Sequence, residues 1–115
     1  MRSQAALSRG RRTVVVFGDM LELGENAPAS HLRIGHLMAS LRVGSLIAFG
    51  REASHAARAA REAGMDPAAV FEDTDMDRVR EAVRRRISAG DVVLVKGSRG
   101  MRLEVVASDI REEWA

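Results

Sequence analysis

Apolar residues follow two kinds of spacing along this chain. Short unbroken runs alternate with longer stretches in which apolar positions recur at helical intervals, and that alternation predicts strands each followed by a helix. The runs Thr13–Phe17 and Val92–Val95 are continuous, β-branched and apolar, the pattern of parallel strands covered on both faces, so both are expected at the centre of a sheet. Ser45–Phe49 forms a third run ending at Gly50, and a shorter one at Ala69–Phe71, after Pro67, is expected at an edge.

Between the runs, Pro28 marks a helix start, and Leu32, Leu37 and Leu41 extend that helix to about Arg42, with Gly44 as its stop. Glu52 to Ala63 is rich in alanine and closed by Gly64. Asp75 or Asp77 can cap the next helix, whose face is Val79, Val83 and Ile87, and a last helix is predicted from about Leu103 to Glu113. Ser3–Ser8 is helix-like with no strand before it. The chain is therefore expected to open inside a connection, with residues 1–11 the truncated end of a preceding domain. The expected fold is α/β, a Rossmann-like, doubly wound, mainly parallel sheet with helices on both faces and strand order 3-2-1-4.

Composition narrows the chemistry. A length of 115 residues, 46% hydrophobic and 30% charged, fits one globular domain spanning 1–115. The absence of cysteine excludes disulfides, thiolate metal sites and a cysteine nucleophile, and three histidines make structural zinc improbable, so no metal site is expected here. A net charge of +2 is a weak electrostatic case for nucleic acid. No apolar run approaches the roughly 18–20 residues of a membrane span, and the Arg-containing start lacks a signal peptide's apolar stretch, so a cytoplasmic location is expected. Lys96 is the single lysine among 18 basic residues, which suggests a position that needs an ammonium group.

In a sheet of order 3-2-1-4, the first and fourth strands lie side by side where the winding reverses, and ligands bind at such a switch point. The segments leaving those strands are Gly18–Glu25 and Lys96–Gly100, both polar and bracketed by glycine. The second offers an ammonium, a hydroxyl and a guanidinium (Lys96, Ser98, Arg99) just before a helix, a combination suited to a carboxylate or phosphate. The competing reading is a strand-to-helix turn whose charges are solvated. There is neither a GxxxxGK[ST] nor a GxGxxG motif, so a nucleotide must find its main phosphate cradle elsewhere.

In the first segment Asp19 directly follows the strand, where a carboxylate can accept from ribose hydroxyls, or else serve as a turn or helix cap. Glu22 could assist, although a solvated turn residue is the commoner role. His31 lies one turn into the following helix; packing or capping is its plainer role. His31 and His36, five apart, face different directions and make no metal pair. His55 has no evident partner in the sequence. The methionines read as core gap-fillers, and Arg84, Arg85 and Arg86 as a solvated helix face, with an RNA-binding patch the less favoured alternative.

Val14–Glu25 (VVVFGDMLELGE), His31 with Gly35 downstream, and Asp91–Glu104 (DVVLVKGSRGMRLE) together resemble the C-terminal domain of the MurF family of Mur ligases. The resemblance runs from about Arg12 to the end of the chain, and its two motifs in this order and separation are far more specific than either alone. It implies an ATP-dependent ligase that adds D-Ala-D-Ala to UDP-MurNAc-tripeptide in peptidoglycan synthesis, through an acyl phosphate and a tetrahedral intermediate. It also implies that Asp19 contacts the ATP ribose, that Lys96, Ser98 and Arg99 face the dipeptide and the reaction centre, and that His31 is a recurring residue without an assigned role. The P-loop, the Mg²⁺ ligands and the UDP-binding region belong to domains this chain lacks, so the 115 residues alone are expected to be inactive and to work by closing over a central domain. Another Mur-type or folylpolyglutamate-type ligase is an adjacent reading, which the GDMLELG stretch disfavours. A stand-alone module binding a small anion or nucleotide without catalysis is the alternative from a different class.

Overall fold

The computed structural model describes residues 12–20, 27–97 and 101–114. Four strands, β1 (Thr13–Gly18), β2 (Ser45–Phe49), β3 (Val70–Asp73) and β4 (Val92–Lys96), alternate with four helices, α1 (Ala27–Ser40), α2 (Ala53–Glu62), α3 (Met76–Arg86) and α4 (Glu104–Trp114). All strand pairs are parallel and the order is β3-β2-β1-β4, as the pattern predicts.

Strand side chains alternate between faces, and this divides the core in two. Val15, Phe17, Leu46 and Ala48 pack against the buried alanines of α2, with Ile34 and Met38 of α1 beside them. Val14, Val16 and Ile47 point the other way, to Val79 and Val83 of α3 and Val106 of α4. The alanine face of α2 lets α1 come close: a Cβ on Gly35 would collide with the Ala56 carbonyl. Met65, Met38 and Met20 fill the α1–α2 side and Met76 the other, the gap-filling role expected of them.

Two features differ from expectation. Helix α1 ends at Ser40 rather than Arg42, because Arg42 turns to φ 58 while Val43 N–H returns to the Met38 carbonyl at 3.2 Å. Gly44 thus acts after the stop, where a Cβ would strike the Arg12 side chain. The larger correction concerns β4, which lies at the edge of the described sheet. Val93 and Val95 join the α3–α4 core, but Val92 and Leu94 are 39% and 53% exposed. Helix α3 before it and helix α4 after it cover the same face of β4, and among the described residues nothing covers the other. The helix expected over Ser3–Ser8 lies outside the described residues. Among the described residues no helix is long and apolar enough to cross a membrane.

Candidate functional site

The carboxyl ends of β1 and β4 meet at the switch point. Phe17 stands opposite Lys96 in the ladder, and Gly18 and Gly97 follow. These glycines allow a close approach: a Cβ on Gly97 would lie 3.2 Å from the Gly18 Cα and 2.6 Å from Leu103 Cδ1. Leu103, just before α4, is buried over this junction and closes the strand ends from the α4 side. The structure therefore brings the roots of the two glycine-bracketed segments together.

Asp19 leaves β1 into the interior and is 7% exposed. Its Oδ1 accepts from the Ala53 N–H at 2.6 Å, and its own N–H donates to the Phe49 carbonyl at 3.2 Å. Helix α2 has no side-chain cap of its own at Glu52, so Asp19 caps it from across the fold. The capping role weighed for this residue is thus present, although the cap lies on α2 and not on the helix that follows Asp19. Oδ2 receives no hydrogen bond from a described residue. Gly50, at φ +120, is part of this arrangement, because a Cβ there would fall within the Asp19 carboxylate. From sequence Gly50 reads only as a strand terminator; its position directly after β2 is the available signal.

His31 is fully buried. Its Nε2 accepts from the Met20 N–H at 3.2 Å, and its ring meets Phe17 edge-on at 5.4 Å between centroids. The histidine therefore pins the backbone where it departs from β1, a structural role. That bond requires the Nε2 lone pair, so the ring proton sits on Nδ1 when the ring is neutral.

Lys96 is exposed on the same sheet face as its ladder partner Phe17 and makes no ion pair with a described residue. Glu22, Ser98 and Arg99 lie outside the described residues. His55, without an evident partner in the sequence, has two in the structure: Glu52 Oε1 lies 3.6 Å from Nε2, and Arg58 lies 3.1 Å from Nδ1. Arg84 and Arg85 form a solvated face paired to Glu81, whose carboxyl they hold below its ordinary range by hydrogen bonding. Arg86 departs from that face, lying over the Phe71 ring and donating to the Ala68 carbonyl.

Comparison with known proteins follows the same lines. The family described as "Mur ligase, glutamate ligase domain" matches residues 1–99. The UDP-N-acetylmuramoyl-tripeptide–D-alanyl-D-alanine ligase of Bacillus subtilis (strain 168) is 30% identical over 101 residues, covering 88% of this chain and 22% of that protein. The same-named ligase of Mycobacterium tuberculosis (H37Rv) is 37% identical over 111 residues, again covering 22% of its length. This chain thus spans about a fifth of the curated relatives it matches. Among solved structures, MurF ligase from Thermotoga maritima in complex with ADP superposes over 96% of this chain and 24% of that one, with a TM-score of 0.68 and 26% identity. MurF from Acinetobacter baumannii shares the fold, with a TM-score of 0.73 at 24% identity over 97% of this chain and 25% of that one.

Proposed function

We propose a function that starts from the family: this chain belongs to the Mur ligase family, as a C-terminal domain of the MurF type. It forms one wall of the active site of an ATP-dependent ligase that joins D-Ala-D-Ala to UDP-MurNAc-tripeptide in the cytoplasm. The observation that carries this reading is the meeting of the two glycine-bracketed strand exits, with a buried, anchored carboxylate on one and the single lysine on the other.

Each residue's part follows from its chemistry. Asp19 is fixed through Oδ1, which leaves Oδ2 to accept from a ribose hydroxyl of ATP. Because its orientation is set by the Ala53 N–H, the acceptor is in place before nucleotide arrives, so little ordering cost falls on binding. Lys96, followed by Ser98 and Arg99 in sequence, presents positive charge where the tripeptide carboxylate and the dipeptide come together. The phosphate chain and Mg²⁺ are assigned to the central domain, since the present sequence holds no P-loop motif. Closure of this domain over the central one completes the site, so the 115 residues alone do not ligate.

The test uses the full-length ligase. Asp19→Asn keeps an oxygen for the Ala53 N–H and removes the charge; the KM for ATP should rise about tenfold with the dipeptide KM unchanged. Lys96→Ala should lower kcat/KM for ligation without shifting the unfolding midpoint, because the side chain is exposed. Unchanged kinetics in Lys96→Ala, or a dipeptide effect alone in Asp19→Asn, would remove the assigned roles.

A further inference from the structure

At the amino end of the sheet, opposite the strand exits, lies a pocket of ≈ 520 Å³ lined by Arg12, Ser45, Asp66, Arg85, Arg86 and Ser88. Arg12 leads into β1 and Ser45 opens β2, so the length of β1, about 17 Å, separates this pocket from the end that carries Asp19 and Lys96. Arg85 and Arg86 come from the last turn of α3 and belong to the Arg84–Arg86 run, to which the ligase reading gives no part.

The guanidinium groups are not equally engaged. Arg12 uses Nη2 for Asp91 and the Arg86 carbonyl, which leaves its other donors over. Arg85 pairs with Glu81 on the exposed surface, a contact of small worth that is readily exchanged. Arg86 has no carboxylate partner among the described residues: Nη1 donates to the Ala68 carbonyl at 3.0 Å, and the group lies 5.3 Å from the centroid of the Phe71 ring. Residues 1–11, which precede Arg12, hold Arg2, Arg9 and Arg11 and no Asp or Glu, so they bring no carboxylate to neutralise it. Asp66, the carboxylate of the lining, is engaged in its own turn, accepting from the Ala68 N–H at 3.0 Å. The carbonyl end of α3 opposes an anion by about half a charge, and Arg12 covers that end through the Arg86 carbonyl.

A neutral donor completes the lining. Ser45 is 2% exposed, and its Oγ meets no hydrogen-bond partner among the described residues. Its ladder partner Val14 belongs to the α3–α4 core, so the Ser45 side chain lies on the side of the sheet that α3 covers. Buried hydroxyls are ordinarily satisfied, and an orphan at the wall of a polar pocket marks where a ligand oxygen can sit. The matching ligand concentrates negative charge and several acceptor oxygens at one end. A phosphate group does so: its three or more free oxygens can receive two guanidinium forks and a hydroxyl together, which the two oxygens of a carboxylate cannot. A nucleic-acid strand fits worse, because among the described residues the lining holds no aromatic ring for a base to stack on. We propose that the amino-end pocket is a phosphate-recognition site, filled by orthophosphate or by the phosphate group of a small phosphomonoester, with Arg86 and Arg12 receiving the charge and Ser45 donating its hydroxyl proton. The inference goes beyond the ligase reading and does not depend on it.

The experiment is a calorimetric titration of the full-length protein with orthophosphate and with glycerol 3-phosphate, after a non-hydrolysable ATP analogue has filled the nucleotide site. Arg86→Met should weaken binding about tenfold or more, and Ser45→Ala about threefold. Arg86→Lys, which keeps the charge, should retain part of the affinity. Ser88→Asp adds a carboxylate at an exposed position, and it should abolish binding while keeping the wild-type unfolding midpoint. Tighter binding of glycerol 3-phosphate assigns the pocket to a phosphorylated small molecule, and equal or weaker binding of the ester assigns it to the free ion. A wild type that binds neither, or binding unchanged in both Arg86→Met and Ser88→Asp, overturns the site. A single-stranded RNA that binds more tightly than either titrant, and is lost in the same variants, gives the surface to nucleic acid and overturns it as well.

Discussion

β1 and β4 lie side by side, are paired in register and are both rich in valine, yet they live in different environments. Val15 and Leu94 are ladder partners on one face; the first is 3% exposed and the second 53%. The difference does not come from the strands. β1 sits between two neighbours and beneath helices on both faces, whereas β4 has one neighbour among the described residues, which cover it only from the α3–α4 side. Their exits differ in the same sense. The chain leaving β1 is pinned by Asp19 to α2 and by His31 to Met20, while β4 ends in an exposed lysine. Apolarity therefore says that a strand can be buried, and the path of the connections decides how much of it is.

The contrast can be broken most severely at Val15. Val15→Ala should cost about 2–3 kcal/mol in urea unfolding, from lost transfer energy and the cavity left behind. A loss under about 0.5 kcal/mol would mean that the α1–α2 face is not packed as described. Next in size is Gly50→Ala, expected to cost about 1–2 kcal/mol because its Cβ meets the Asp19 carboxylate at a φ reserved for glycine. Combined with Asp19→Ala, the two changes should cost less than their sum, since the collision then has no second party. Strict additivity would separate Gly50 from Asp19.

A smaller effect is expected from pH, on the side of the molecule that supports β4. The hydrogen bonds from Arg80 hold the Asp109 carboxyl below its ordinary range, so the folded-state value lies under the unfolded one. The stabilisation is present above the usual carboxylate pKa of about 4 and is lost as pH falls through the depressed folded value. Asp109→Asn should flatten that acid limb of the stability profile while leaving the cap at Asp19 untouched; an unchanged limb would remove the pair from the account. The smallest effect belongs to Leu94→Ala, within about 0.5 kcal/mol although it deletes more atoms than Val15→Ala. A cost as large as that of Val15→Ala would show that the open face of β4 is covered.

Much of the fold was legible before any coordinates. The β-branched runs, the alanine stretch before Gly64 and the Asp75 cap, which accepts from the Asp77 N–H at 2.9 Å, each specify their element locally. The end of α1 was not legible: it stops at Ser40 through a left-handed Arg42, a conformation the sequence does not advertise. At the site, the pairing of the two strand exits followed from topology alone. The partners of Asp19 and His31 did not, because both reach segments whose distance in space is fixed only when the sheet closes.

What the sequence by itself determined was the alternation of strands and helices, the parallel order 3-2-1-4 and the two polar segments at the switch point, because periodicity and chain connectivity suffice for these. Tertiary structure alone decided that Asp19 caps α2, that His31 fastens the exit of β1 and that, among the described residues, one face of β4 is left uncovered. The physical reason is the same for each: burial and hydrogen-bond satisfaction belong to pairs of groups brought together by packing, and a residue type does not carry its partner with it.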